Sequence, residues 1–280
     1  MRTLRDTLRT AFGRPQNRRR APRPGTLEHI RGFESKILGN SRDITIYLPP
    51  DYSERAEARY PVLYMQDGQN LFEPERSFIP GQHWRLREAA DEAIHDRNAE
   101  PMIIVGVDHA GPARIDELTP THDAKRNGGG KAADYARMLI EELKPVIDAA
   151  YRTIPDRTAI GGSSLGGLLT LSAGLANPNV FSGMAAMSPS VWWDNRKILG
   201  DVDAFDGKRP RIWLDIGGRE GMEALRDARL LRQHLLDRGW RTGVDLHYFE
   251  DRRADHSERA WAKRAKEVLE YLFPATSLTP

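Results

Sequence analysis

The segment Thr158-Ala-Ile-Gly-Gly-Ser-Ser-Leu-Gly-Gly167 joins a short β-rich run to an apolar helical stretch. It contains Gly162-x-Ser164-x-Gly166, the spacing of a nucleophile elbow, in which a serine occupies a sharp strand-to-helix turn and its hydroxyl projects from the sheet edge. Glycine is expected two residues before and after the serine because strand and helix approach too closely there for a Cβ atom. The alternative is a glycine-rich phosphate-binding turn, but the chain has no G-x-G-x-x-G motif and no complete phosphate-loop pattern.

Short β-rich runs alternate with amphipathic helical stretches on both sides of this segment. Such alternation predicts a single-domain α/β fold with a mostly parallel central sheet and helices on both faces. Ligands of such sheets bind at the carboxyl ends of the strands. The predicted strands lie at 43–48, 61–65, 102–107, 158–160, 183–187, 211–216 and 245–249, and the predicted helices lie within 83–96, 131–150, 165–176, 221–238 and 257–272.

The composition limits the classes of protein to which this chain can belong. Its 280 residues are 39% hydrophobic and 29% charged, which is enough apolar material for a substantial core. No stretch approaches the roughly 18 uninterrupted apolar residues of a membrane span. Without cysteine there is no disulfide, no thiolate nucleophile and no cysteine-ligated zinc. We therefore expect a cytoplasmic globular protein that does not associate with a membrane.

Charge is distributed unevenly along the chain. Residues 1–24 contain eight Arg and one Asp, whereas the remaining residues contain 34 basic and 39 acidic side chains. Residues 1–25 are therefore predicted to be a basic, disordered tail, and residues 26–280 the folded domain; an organelle transit peptide is the alternative for the tail. Because the predicted domain is mildly acidic, we expect no nucleic-acid partner.

A serine nucleophile needs a base and an acid that orients the base, and in this fold the chain order is serine, acid, histidine. His256 lies in a polar loop between the last predicted strand and the last helix, which makes it the candidate base, whereas His247 lies inside a strand. Glu220, just past the strand at 211–216, is the favoured acid, and Asp215 inside that strand is the alternative. No histidine has a metal-ligand spacing, so neither a metal nor a cofactor is expected.

Stabilisation of an oxyanion needs two backbone donors near the serine. Leu165, which follows the serine, offers one N–H group, and Gln69, after the early strand at 61–65, offers the other. An ordinary Asp-Gly turn at Asp67-Gly68 is the alternative interpretation of that second loop.

Five side chains are candidates for substrate binding. Two come from the loop around Gln69, one from the long polar stretch 108–130, and two from the segment after the strand at 183–187. The adjacent tryptophans of that last segment could equally be plain core. The candidates are Asp67, Asn70, Arg114, Trp192 and Trp193.

Taken together, these motifs resemble the putative-esterase family of α/β-hydrolases, which includes enterochelin esterases and S-formylglutathione hydrolases. The matching segments run in order from about residue 33 to residue 273: Asp67-Gly-Gln-Asn-Leu-Phe72, Arg114-Ile-Asp-Glu-Leu-Thr-Pro120, Gly128-Gly-Gly-Lys131, Gly161-Gly-Ser-Ser-Leu-Gly-Gly167, Ser188-Pro-Ser-Val-Trp-Trp193 and Asp255-His256-Ser. The resemblance implies that Ser164 is the nucleophile, Glu220 the acid and His256 the base, with the Gln69 and Leu165 amides in the oxyanion hole.

The motifs and the resemblance together predict a serine carboxylic-ester hydrolase that acts through an acyl-enzyme intermediate. Its partner would be a small-molecule ester, with a siderophore, an acyl-sugar or a small acyl ester as candidates, and homo-oligomerisation is left open. The alternatives are an acyltransferase with the same triad and a non-catalytic binding protein of the same fold.

Overall fold

An eight-stranded sheet forms the centre of the structure, a computed structural model that describes residues 24–275. A separate two-stranded hairpin, β5 with β6, lies outside this sheet. In chain order the strands are β1 (Thr26–Ser35), β2 (Asn40–Leu48), β3 (Tyr60–Gln66), β4 (Ile103–Val107), β5 (His122–Asp123), β6 (Gly128–Gly129), β7 (Thr153–Ser163), β8 (Phe181–Met187), β9 (Arg211–Gly217) and β10 (Leu246–Asp251).

The strands of the large sheet lie in the order β1-β2-β4-β3-β7-β8-β9-β10. The pairs from β4 to β10 are all parallel, whereas β1 with β2 and β2 with β4 are antiparallel. The carboxyl ends of six strands therefore meet at one edge of the sheet. The predicted mostly parallel sheet is confirmed.

Helices cover both faces of the sheet. The residues of β3 alternate between two buried clusters: Val62 and Tyr64 pack on one side, and Leu63 and Met65 pack on the other. This alternation places apolar side chains against helices on each face. The helices are α1 (Leu86–His95), α2 (Arg114–Leu118), α3 (Ala132–Arg137), α4 (Lys144–Ala150), α5 (Leu165–Ala176), α6 (Lys197–Asp203), α7 (Met222–Asp237), α8 (Glu258–Ala262) and α9 (Ala265–Leu272).

Several elements differ from the sequence-based expectation. Strand β1 was not predicted, because most of its side chains are exposed and its sequence has no apolar run. The stretch 108–130, in which no strand or helix was predicted, contains α2 and the β5–β6 hairpin. The helix predicted within 131–150 contains a π-helical segment, Met138–Leu143, before Pro145 in the first turn of α4.

The predicted tail, residues 1–25, lies outside the described residues except at its end. Gly25 donates a 2.9 Å hydrogen bond from its N–H to the Asp91 carboxylate, which joins the end of this segment to α1. No helix within residues 24–275 has the length and apolar character needed to cross a membrane. The expectations of a cytoplasmic location and of homo-oligomerisation stay predictions.

Candidate active site

Ser164 occupies the turn between β7 and α5. Its backbone has φ 57° and ψ −120°, a conformation that is strained for a residue with a side chain. A Cβ atom on Gly162 would lie 2.8 Å from the carbonyl carbon of Gly166, so strand and helix do approach too closely there for a side chain. This geometry is that of a nucleophile elbow, with the serine held on a sharp turn at the carboxyl edge of the sheet.

A cavity of about 300 Å³ opens beside this turn. Its lining residues lie after the carboxyl ends of β3, β4 and β7 and in the loop and helix that follow β10. The sequence-predicted residues that line it are Asp67, Gln69, Asn70, Arg114, Ser164 and His256.

His256 and Glu220 are directly hydrogen-bonded within this site. His256 Nδ1 lies 2.6 Å from Glu220 Oε2. The Glu220 side chain is only 3% exposed, whereas that of His256 is 45% exposed. Burial acts to raise the pKa of Glu220, but hydrogen bonds from His256 and Ser188 outweigh it and leave the pKa below its ordinary value. Because an ionised carboxylate only accepts, Nδ1 carries the proton of neutral His256 and Nε2 is free to act as a base.

The Ser164 hydroxyl does not reach His256 in this structure. Its Oγ lies 3.4 Å from Ser190 Oγ, and within the described chain it forms no hydrogen bond with the imidazole. Ser164 and His256 nevertheless line the same cavity. In free enzymes the bond between nucleophile and base is often long and shortens only when substrate is bound. The shared cavity is therefore the observation that links the two groups, and their pairing stays a prediction.

Asp215, the alternative acid, has other partners. Its carboxylate accepts hydrogen bonds from Arg264 at 3.0 and 3.1 Å and from the Trp213 indole at 2.8 Å. The side chain is fully buried and makes no contact with His256. Between the two carboxylates near the end of β9, the structure brings Glu220 and not Asp215 to the imidazole.

The two amides predicted to stabilise an oxyanion lie at the beginnings of two helical turns. Leu165 is the first residue of α5, and Gln69 is in the 3₁₀ turn Gly68–Asn70. N–H groups in a first turn have no acceptor within the helix. Neither of these N–H groups has an acceptor elsewhere in residues 24–275, which leaves both free for a ligand.

A bidentate ion pair supports the Gln69 loop. Asp67 has a left-handed backbone with φ 56°, and its carboxylate binds Arg114 Nε and Nη2, each at 2.7 Å. Asn70 Oδ1 accepts a 2.9 Å hydrogen bond from the Phe78 N–H. The predicted substrate-binding residues Asp67, Asn70 and Arg114 therefore lie in the cavity wall, where they also hold one another and the neighbouring loop in place.

The two predicted tryptophans are not part of this cavity. Trp193 is buried, and its indole N–H donates to the Thr121 carbonyl at 3.0 Å. Trp192 is 41% exposed and packs under the Arg126 guanidinium, 4.2 Å from the ring centroid. Neither tryptophan is among the residues that line this cavity, and their assignment to the substrate site stays a prediction.

Sequence reasoning missed part of the cavity wall. Phe78 and Ile79 lie at its rim and are 73% and 42% exposed, and the rest of the lining that was not predicted is His109, Ser163, Glu258 and Trp261. The Trp261 ring packs edge-on against His256 with centroids 4.9 Å apart. The one sequence signal that could have identified Phe78 and Ile79 is that they are adjacent apolar residues in an otherwise polar loop.

No group of three or more His, Asp or Glu side chains within residues 24–275 is placed to hold a metal ion. The site chemistry available from the described side chains is that of a hydroxyl, an imidazole and a carboxylate.

Comparison with known proteins assigns the family. A family model described as "Putative esterase" matches residues 35–271, most of the chain. The chain belongs to the putative esterase family. The esterase predicted from the motifs is thereby confirmed at the level of the family.

Relatives of this esterase include characterised and uncharacterised proteins. It is 25% identical over 258 residues to the uncharacterised protein YbbA of Bacillus subtilis, a match that covers 87% of this chain and 97% of the relative. It is 30% identical over 194 residues to the ferri-bacillibactin esterase BesA of the same organism, which covers 63% of this chain and 64% of the relative.

Solved structures share the fold of the esterase. The BES protein of Bacillus cereus matches with a TM-score of 0.70 at 22% identity, over 90% of this chain and 96% of that one. An IroE-like serine hydrolase from Shewanella oneidensis matches with a TM-score of 0.72 at 19% identity, over 89% of this chain and 80% of that one. The predicted α/β-hydrolase fold is confirmed.

Proposed function

We propose that this esterase hydrolyses carboxylic esters through a Ser164–His256–Glu220 triad. The observation that carries the proposal is the convergence of a strained serine turn and a His–Glu hydrogen bond at one cavity. The three residues come from separate loops at the carboxyl ends of β7, β9 and β10. A binding protein that retained only the fold would have no need to keep this arrangement.

The proposed reaction has two halves. Ser164 Oγ attacks the ester carbonyl carbon while His256 Nε2 takes the hydroxyl proton, and the carbonyl oxygen becomes negatively charged. The Gln69 and Leu165 N–H groups stabilise that charge. Collapse breaks the C–O bond, the leaving alkoxide receives the proton from His256, and the acyl group remains on Ser164. Water, deprotonated by His256, then attacks the acyl carbon; the bond from that carbon to Ser164 Oγ breaks, the proton passes from His256 to Oγ, and the acid is released.

The proposed substrate is a siderophore ester, an acyl-sugar ester or a small acyl ester. Support for the first comes from BesA, whose name identifies it as a ferri-bacillibactin esterase. The cavity volume of about 300 Å³ lies at the lower end for small-molecule sites. It therefore accommodates one arm of a larger ester at a time, with Phe78 at the rim.

Hydrolysis of p-nitrophenyl butyrate tests the proposal. We expect Ser164→Ala to lower kcat by about 10³-fold or more, and a fluorophosphonate to label the wild type at Ser164. Ser182→Ala is the matched control, since this exposed serine on β8 donates only to the Thr158 carbonyl. Equal rates for wild type and Ser164→Ala would refute the triad, and transfer of the acyl group to added alcohols in preference to water would indicate an acyltransferase.

A further inference from the structure

Ser188 lies directly behind the proposed acid. It follows β8, is 2% exposed and does not line the cavity. Its hydroxyl is 2.6 Å from Glu220 Oε1, the carboxylate oxygen that does not face His256. Its backbone φ is 43°, a left-handed value that is uncommon for a residue with a side chain. A buried, strained serine on the far side of the acid calls for a physical explanation.

The surroundings of the Ser188 hydroxyl determine the direction of its hydrogen bonds. Trp261 Nε1 lies 3.0 Å and Arg264 Nη2 lies 3.4 Å from its oxygen. Both nitrogens can only donate, so they occupy the two acceptor positions that a hydroxyl possesses. The single hydroxyl hydrogen is then left for Glu220. Ser188 is therefore a donor to Glu220, and the carboxylate oxygen that faces it must accept.

The same reasoning extends to His256. Glu220 Oε1 accepts from Ser188 and from the Gly217 N–H at 2.8 Å, while Oε2 accepts from His256 Nδ1. Donors on both sides keep the carboxylate ionised, and an ionised carboxylate can bind only the Nδ1–H tautomer of the neutral imidazole. In that tautomer Nε2 has the lone pair that a general base needs.

Ser188 also separates Glu220 from a buried cation. Arg264 is paired with Asp215, and Asp215 in turn accepts the Ser188 N–H at 3.1 Å. Without the Ser188 oxygen, Arg264 would keep Asp215 as its acceptor, whereas the Trp261 indole N–H would lose the acceptor it has on Ser188. Because a buried donor without a partner is costly, we expect the Glu220 carboxylate, which also loses its bond to Ser188, to shift toward the Trp261 indole and away from His256.

We propose that Ser188 is a positioning residue that orients Glu220 and, through it, sets the tautomer of His256. The proposal rests on the triad proposed above. In this proposal Ser188 does not contact the substrate, and its whole effect on catalysis passes through the Glu220 carboxylate.

A double-mutant cycle on kcat tests this route. We expect Ser188→Ala to lower kcat about tenfold in the wild-type background, with KM within about twofold, and to lower it less than about twofold in the Glu220→Gln background. An equal loss in both backgrounds would mean that Ser188 contributes only to folding, and no loss in the wild-type background would also overturn the proposal. Ser182→Ala, on the strand that precedes Ser188, is expected to match the wild type.

A second substitution keeps the test valid if Ser188→Ala folds poorly. Ser188→Gly removes the same hydroxyl, and glycine tolerates the positive φ at this position. We expect it to reproduce the tenfold loss while it unfolds at a temperature close to that of the wild type. Wild-type kcat in a folded Ser188→Gly variant would overturn the proposal.

Nitrogen-15 NMR of His256 gives a readout that needs no activity. We expect the neutral imidazole of the wild type to carry its proton on Nδ1 alone, and that of Ser188→Gly to be a mixture of tautomers. A single unchanged tautomer in the variant would overturn the proposal. If Ser164→Ala hydrolysed esters as fast as the wild type, the proposed function would fail, and the NMR result would still decide the role of Ser188.

Discussion

Glu220 and His256, separated by 36 positions in the chain, are joined by a hydrogen bond of 2.6 Å between Oε2 and Nδ1. Asp215, close to Glu220 in sequence, instead binds Arg264 through both carboxylate oxygens. The first pair borders the cavity, and the second is buried beneath it. Two carboxylates near the end of one strand therefore have different physical roles.

Substitution of these two carboxylates separates activity from stability. Glu220→Gln should lower kcat by about 10²- to 10⁴-fold, because His256 loses the acceptor that holds its tautomer. Asp215→Asn should lower the free energy of unfolding by about 3–5 kcal/mol, because it leaves the Arg264 charge buried without its partner. Ester hydrolysis and urea unfolding of both variants provide the measurements. A Glu220→Gln variant with wild-type kcat would remove Glu220 from the triad.

The contribution of Glu220 to stability should depend on pH. Hydrogen bonds from His256 and Ser188 outweigh burial and lower its pKa. A carboxyl whose pKa is lower when folded stabilises the protein above its unfolded pKa, about 4.3, and loses that contribution as the pH falls through the folded value. The stability advantage of the wild type over Glu220→Gln should therefore shrink as the pH falls below about 4.3. A difference that is flat down to pH 3 would contradict the lowered pKa.

Two glycines provide a matched test of the serine turn. Gly162→Ala would place a Cβ 2.8 Å from the Gly166 carbonyl carbon, and since that atom is backbone, the turn itself must shift. We expect a loss of about 1–3 kcal/mol in unfolding free energy together with a large loss of kcat. Gly200→Ala, inside α6 with open space around it, should be neutral or stabilise by up to about 1 kcal/mol and keep full activity. Thermal unfolding and ester hydrolysis distinguish the two.

Selectivity for the acyl group should depend on Phe78 and not on Trp192. Phe78 lines the cavity rim, whereas Trp192 packs against Arg126 outside it. Phe78→Ala should therefore raise KM for a benzoyl ester relative to an acetyl ester by about three- to tenfold. Trp192→Ala should leave this ratio unchanged. The reverse result would restore the sequence-based assignment of Trp192 to the substrate site.

Sequence reasoning succeeded where a local constraint leaves a local pattern. Gly162 marks the tight turn because a Cβ there would lie 2.8 Å from the backbone of Gly166, and the apolar run at 102–107 marks a strand covered on both faces. Strand β1 was missed because its exposed side chains leave no such pattern. The sequence could not show that Phe78 borders the cavity and that Trp192 does not, because both residues lie in irregular loops. The path of such a loop depends on what it packs against.

The amino-acid sequence by itself determined the alternation of strands and helices, the serine turn and the chain order of its candidate partners, because periodicity and steric limits act between near neighbours. Only the tertiary structure decided that Glu220 rather than Asp215 meets His256, that Ser188 supports Glu220 from behind, and that the cavity lies under Phe78. These relationships join segments that are distant in the chain, and their geometry exists only once the sheet has brought the strand ends together.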